Sequence, residues 1–281
     1  MSIETEPRAT RPAGSRLARA AAVGLVAGFL SGLFGVGGGI LIVPALVLVM
    51  AMDQRLAHGT SLAAVLPIAV SSTLGYALED KVDWPVAALL AAAAVGGAVV
   101  GTHALQRLPQ RALAFAFASL LVATAVRLLI DHSDAGGRGG LDAFTVVGLL
   151  VLGVTSGILA GLLGVGGGII MVPAMVVLWG IPPAVAKGTS LAVIVPTSIM
   201  GTWRNRHHGN ADMPVAVTVG LAGVLSAFVA SKISIGMSET TSNVLFALLL
   251  LAVAARLLWQ LWGERGQARR PAGGGVADVN P

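Results

Sequence analysis

The feature that most constrains this chain is that it repeats itself. Sliding the sequence by about 129 positions lays Ser31-Gly-Leu-Phe-Gly-Val-Gly-Gly-Gly-Ile40 on Ala160-Gly-Leu-Leu-Gly-Val-Gly-Gly-Gly-Ile169. The same shift lays Pro44 on Pro173, Gly59-Thr60-Ser61-Leu62 on Gly188-Thr189-Ser190-Leu191, Pro67 on Pro196, Asp83 on Asp212 and Pro85 on Pro214. Roughly two in five positions match from Gly28 to Leu129 without a gap, which marks two copies of one unit.

Neither copy can present a surface to water. Of 281 residues, 56% are hydrophobic and only 11% charged, where a soluble domain carries about 25%. The charges sit at the two ends and in short clusters between long apolar stretches, the pattern of a polytopic membrane protein. Soluble enzymes, nucleic-acid binders and disordered chains are excluded. The net charge of +5 flanks apolar segments and forms no single face, so it reads as membrane orientation and not as a nucleic-acid surface. Cysteine is absent, which removes disulfides and thiolate metal sites.

In the first copy the apolar segments run about 17–34, 39–52, 56–77, 85–104 and 111–130. An upright span needs about 20 residues, so the second is too short and is expected to form, with the segment before it, a broken or re-entrant element joined by the glycine run. The lead up to position 19 holds Arg8, Arg11, Arg16 and Arg19. The apolar run from Ala20 passes straight through the glycines, which suits an uncleaved first span and not a signal peptide. The expected organisation is a tail at 1–19, a membrane repeat at 20–130, a connector at 131–142, a second repeat at 143–262 and a disordered tail at 263–281.

Counting Lys and Arg in short loops orients the copies. The N-terminus reads as inside, the acidic loop Glu79-Asp80-Lys81-Val82-Asp83 as outside, Gln106 to Arg111 as inside and Asp131 to Asp142 as outside. In the second copy the loop matching the acidic one is Arg204-Asn205-Arg206-His207-His208, strongly basic, and the C-terminal tail is basic too. Equivalent loops thus face opposite sides. The expected fold is an all-α polytopic integral membrane protein of two inverted-topology repeats, about five helical segments each, in a bacterial-type cytoplasmic membrane with both termini in the cytoplasm.

Gly35-Val-Gly-Gly-Gly39 and Gly164-Val-Gly-Gly-Gly168 interrupt apolar helices at corresponding positions, which points to a transporter binding site. Glycine lets the backbone leave helical geometry, and the freed N–H groups with a following helix N-terminus can face an anion. Such amides are tolerated at membrane depth only where protein or a water-filled cavity satisfies them. The competing reading is close helix packing through small residues. A dinucleotide site is disfavoured, since no βαβ unit surrounds the motif.

Gly59-Thr60-Ser61 and Gly188-Thr189-Ser190 open the third segment of each copy. Their hydroxyls could donate to an anion or simply cap the helix. His58 and Lys187 precede these triplets at equivalent positions, as candidate charge partners. All thirteen acids fall in tails, loops or segment ends. Proton coupling would therefore have to use His58, His103 or the substrate's own protonation, and an acidic-ring cation pore is disfavoured. His207 and His208 read as a solvated pair and not a metal site.

The doubled Gly-x-Gly-Gly-Gly-x-x-x-x-Pro stretch with a following Gly-Thr-Ser-Leu, here Gly35 to Pro44 with Gly59 to Leu62 and Gly164 to Pro173 with Gly188 to Leu191, resembles the TauE/SafE family of membrane transporters. The resemblance runs from about Ala20 to Trp262. It implies a carrier of a small anion such as sulfite, sulfoacetate or another organosulfur or organic anion, with no cofactor. On this expectation the halves rock in alternating access around one pocket. Gly37, Gly38, Gly39, Gly166, Gly167 and Gly168 supply room and amide donors, and Thr60, Ser61, Thr189 and Ser190 supply hydroxyls. An anion channel, or a carrier for another small organic anion, is the alternative. A membrane-embedded enzyme is disfavoured, because no polar catalytic cluster falls within the spans. Substrate identity, direction, coupling ion and oligomeric state are not encoded in these motifs.

Overall fold

A computed structural model describes residues 13–104, 110–130, 140–163 and 166–267, and the described elements are all helices. They are α1 (Ala13–Phe34), α2 (Gly39–Met50), α3 (Gln54–Ala77), α4 (Trp84–Ala104), α5 (Gln110–Ile130), α6 (Ala143–Leu163), α7 (Gly168–Trp179), α8 (Pro183–His207), α9 (Met213–Gly236) and α10 (Glu239–Gln267). Five stretches, in α1, α3, α6, α8 and α9, are long and apolar enough to cross a bilayer. Large apolar side chains face outward along these helices, among them Leu221 at 64% and Leu225 at 71% exposure. Thr60, Ser61, Lys187, Thr189 and Ser190 are buried instead. An apolar exterior over a polar interior is the arrangement lipid selects, and the chain is a polytopic membrane protein.

Boundaries agree with the apolar segments to within a few residues, with two extensions. Helix α1 begins at Ala13, inside the expected N-terminal lead, and α10 continues to Gln267, inside the expected C-terminal tail. The extension of α1 brings Arg16 to Asp212, with Nη2 2.8 Å from the carboxylate. The expectations for 1–12, 131–139 and 268–281, for 105–109 in the loop from Gln106 to Arg111, and for Gly164 and Val165 of the second glycine run, lie outside the described residues, as does the side chain of His103.

The path of the chain follows from contacts at the two ends of the bundle. Gly24, Gly28 and Gly32, four apart and so on one face of α1, press against the carbonyls of Val219, Gly223 and Ala227, and a Cβ at any of them would overlap. Small residues let these helices run side by side in the same direction. One end of the pair carries Arg16 and Asp212. Helix α3 starts at that end, since Thr60 meets Asp212. It finishes at the other end, where Glu79 meets Lys232 of α9 at 2.6 Å and the Tyr76 hydroxyl donates to the Gly32 carbonyl at 2.9 Å. Helix α8 starts at this second end, against Asp83 and Lys81, and returns to the first. Helices α3 and α8 therefore run in opposite senses.

The short helices occupy the turning points. Helices α2 and α7 have 12 residues each, about 18 Å at 1.5 Å per residue against a hydrocarbon core of about 30 Å. Each is entered through a left-handed glycine, Gly38 at φ 71° and Gly167 at φ 76°. Residues 51–53 join α2 directly to the start of α3, so α1 and α2 form a hairpin that begins and ends at the same end of the bundle. Helix α7 likewise leads through 180–182 into the start of α8. Neither short helix crosses the bundle.

Candidate functional site

Gly35, Gly37 and Gly38 all have positive φ, as do Gly166 and Gly167, a conformation that side-chain-bearing residues adopt only under strain. With the backbone turned this way, the amides of Gly37, Gly38 and Gly39 donate to no described carbonyl, while the Gly38 and Gly167 carbonyls receive the first bonds of α2 and α7. Orphan amides at a helix N-terminus form a local positive pole.

The structure brings the two glycine runs together. A Cβ on Gly168 would lie 3.0 Å from the Gly35 carbonyl oxygen, 2.7 Å from the Ser190 Oγ and 2.8 Å from the Ile194 Cδ1. The same Ile194 methyl would lie 2.8 Å from a Cβ on Gly37, and Val65 closes the other flank at 3.4 Å. Ile194 of α8 is thus wedged where both glycine runs meet, and it fills the centre in this conformation.

The four hydroxyl residues are all fully buried, but they divide by role. Thr60 Oγ1 accepts the Asp212 amide at 2.9 Å and Thr189 Oγ1 accepts the Asp83 amide at 2.9 Å. Asp83 and Asp212 in turn accept from the first turns of α4 and α9. Each threonine oxygen therefore ties the start of its own helix to a helix start in the opposite half, and the proton of its O–H is left to donate. Ser190 Oγ makes no hydrogen bond among the described residues, and neither do the buried Ser31 and Ser156 hydroxyls on α1 and α6. In a helix, such a hydroxyl ordinarily bonds back to a carbonyl of the preceding turn.

Position 58 and its repeat partner are not equivalent in space. His58 is half-buried at the start of α3, whereas Lys187 is 1% exposed. The Lys187 backbone packs against Gly35. Its Nζ reaches Ser242 at 2.7 Å and Ser234 at 3.4 Å and lies 5.3 Å from the centroid of Phe246. Ser234 also donates to the Leu33 carbonyl at 2.9 Å, so the ammonium sits at the negative end of α1. The sequence pairing of His58 with Lys187 gave no sign of this link to α9 and α10. Ile194, Ser31 and Ser156 were also missed, since apolar and small residues on a span carry no distinguishing signal. Among the described residues no group of three His, Cys, Asp or Glu side chains could hold a metal ion.

A bundle with helices broken at its centre, polar groups inside and lipid-facing apolar side chains outside is a membrane transporter. The sequence model of the sulfite exporter TauE/SafE family matches residues 2–128 and 149–278, and the chain belongs to that family. It is 26% identical over 262 residues to YunE of Bacillus subtilis, named a probable membrane transporter protein, covering 85% of this chain and 96% of that one. A Xylella fastidiosa protein of the same description is 28% identical over 86% of this chain and 94% of its own length. A third, from Haemophilus influenzae, is 27% identical over 84% and 95%. No solved structure matches.

Proposed function

We propose that the protein is a secondary transporter for a small anion, sulfite or an organosulfonate such as sulfoacetate, and that it works by alternating access. The observation that carries this reading is the meeting of two left-handed glycine runs, one from each half, with amides at the heads of α2 and α7 that donate to no carbonyl among the described residues. Two helix N-termini converging on one point favour negative charge. The hydroxyls of Ser190, Ser31 and Ser156 add neutral donors that would hold an oxyanion without a buried cation directly on it.

In the mechanism, Ile194 withdraws from between Gly37 and Gly166, and the anion takes its place against the amides of Gly37, Gly38 and Gly39 and of Gly166, Gly167 and Gly168. Thr60, Ser61, Thr189 and Ser190 contribute hydroxyls from α3 and α8, the two antiparallel helices that flank the point. The short helices α2 and α7 then rock, because each is hinged at its glycine run and at the short loop that follows it. His58 and Lys187 are the candidate groups for charge compensation and proton coupling. The chemistry is binding and release, with no covalent step and no cofactor.

The test is counterflow of labelled sulfite and sulfoacetate in proteoliposomes, with and without a pH gradient. Saturable counterflow of either supports a carrier, and its response to the gradient reports coupling. Conductance without counterflow would replace the carrier by a channel, and absence of uptake of both anions would remove the named substrates.

A further inference from the structure

The basic turn that ends α8 is split across the helix. Trp203 and His207 pack edge to face at 4.9 Å between ring centroids on an outer side, where Trp203 is 58% exposed. Met200, Gly201, Arg204, Asn205 and His208, spaced for one face of a helix, line a cavity of about 130 Å³ with Leu62 and Ala98. At ~30 Å³ per water this volume suits a few waters or one small oxyanion.

Arg204 is the guanidinium of that lining. Arg204 Nη1 donates to the Ala98 carbonyl at 2.7 Å, which anchors the guanidinium between α4 and α8. A guanidinium has five N–H groups in a fixed fork that matches a planar oxyanion edge. Asn205 Nδ2 donates to the Gly201 carbonyl at 2.9 Å and His208 Nδ1 meets the Arg204 carbonyl at 2.7 Å, so the remaining guanidinium N–H groups of Arg204 are the charged donors of the lining, and no carboxylate lines the cavity among the described residues. Leu62 and Asn205 place it beside the Gly59-Thr60-Ser61 start of α3. Leu62 follows Thr60 and Ser61 on α3, and Asn205 Cβ stands 3.0 Å from where a Cβ on Gly59 would lie.

The repeat supplies an internal control. The positions matching Met200, Gly201, Arg204, Asn205 and His208 are Ser71, Ser72, Gly75, Tyr76 and Glu79. There is no cation among them. Gly75 is pressed onto the Ser231 hydroxyl, Ser71 donates to the Val224 carbonyl at 2.7 Å, and the Tyr76 hydroxyl is held by the Gly32 carbonyl. Those positions are packed against their neighbours, whereas the positions at Arg204 line a cavity.

We propose that this cavity is a capture site for the transported oxyanion, used before the anion moves to the glycine runs. The proposal rests on the transport reading above. Capture is one-sided: the anion enters from the end where the loop after α8 lies, since the matching positions at the opposite end carry no cation.

The experiment is counterflow of labelled sulfoacetate in proteoliposomes of fixed protein orientation, with concentration varied on each side in turn. It uses the full-length protein and its Arg204→Gln, Arg204→Lys and Arg204→Ala variants, each checked for a single folded species by size-exclusion chromatography. Gln keeps an N–H for the Ala98 carbonyl, so Arg204→Gln reads the charge even if Arg204→Ala fails to fold. Loss of a charge-assisted fork raises KM from the Arg204 side about tenfold or more, with Lys intermediate, while KM from the other side is unchanged. Maximal rate stays within about twofold, since the group acts before the conformational step. An unchanged KM in Arg204→Gln overturns the proposal. So does a wild-type protein that behaves like Arg204→Gln in pure phosphatidylcholine but not in mixtures with phosphatidylglycerol, because the fork then binds a lipid headgroup. If the wild type sustains no counterflow while remaining folded, the transport reading itself falls.

Discussion

Thr60 and Asp212 lie 152 positions apart, and the threonine oxygen accepts the aspartate's backbone amide at 2.9 Å. The relationship is repeated by Thr189 and Asp83 at the other end of the bundle. Behind each threonine a glycine clears the approach: a Cβ on Gly59 would overlap the Asn210 carbonyl, and one on Gly188 the Lys81 carbonyl. The Gly-Thr pair thus acts as a clamp between halves.

Replacing Thr60 by Val keeps the shape and leaves the Asp212 amide without its acceptor. An orphaned part-buried amide costs about 1–3 kcal/mol. Thr60→Val and Thr189→Val should each lower the unfolding midpoint in detergent, and the serine variants should fall between them and wild type. Unchanged midpoints in the valine variants would contradict the clamp.

Ser190 poses the opposite case. Its hydroxyl is buried without a hydrogen bond among the described residues, so Ser190→Ala removes no bond and should leave stability within about 0.5 kcal/mol. If the hydroxyl serves the anion, the same variant raises KM for counterflow several-fold. A stability loss with unchanged KM would assign Ser190 to packing.

Lys187 is a buried cation satisfied by two hydroxyls and a ring. Isosteric apolar replacement of a buried charge is often neutral or stabilising. Lys187→Met should therefore unfold at or above the wild-type midpoint while losing at least about tenfold in transport rate. Thermal unfolding paired with counterflow separates the two effects, and an active Lys187→Met would remove Lys187 from charge compensation.

How far these features could be read in advance depends on their range. Helix boundaries follow from apolar runs cut by glycine and proline, so α2 and α7 stand out as too short wherever they are placed. The paired Gly-x-Gly-Gly-Gly strings mark the breaks for the same local reason. That Gly168 comes to rest against the Gly35 carbonyl depends on how two hairpins pack, which no local pattern encodes. Arg204 illustrates the limit from the other side. Its charge was legible as an orientation signal, but only the return of α8 beside α4 places it at the Ala98 carbonyl and against a cavity.

Glu79 and Lys232 give a pH-dependent contact at the end opposite Arg204. Lys232, 2.6 Å from the carboxylate, holds the Glu79 carboxyl below its ordinary range, and Lys81 adds to the effect. A carboxylate whose folded value is depressed stabilises the fold above its unfolded value, and that contribution is lost as pH falls through the folded one. The pair is exposed, so solvent and salt screen it. Unfolding midpoints of wild type and Glu79→Gln should therefore differ slightly at neutral pH in low salt, with wild type higher. The gap should close as the pH drops below the usual glutamate range, and also on adding salt at neutral pH. A gap that persisted at acidic pH would show that Gln fails for steric reasons and that the ion pair contributes nothing.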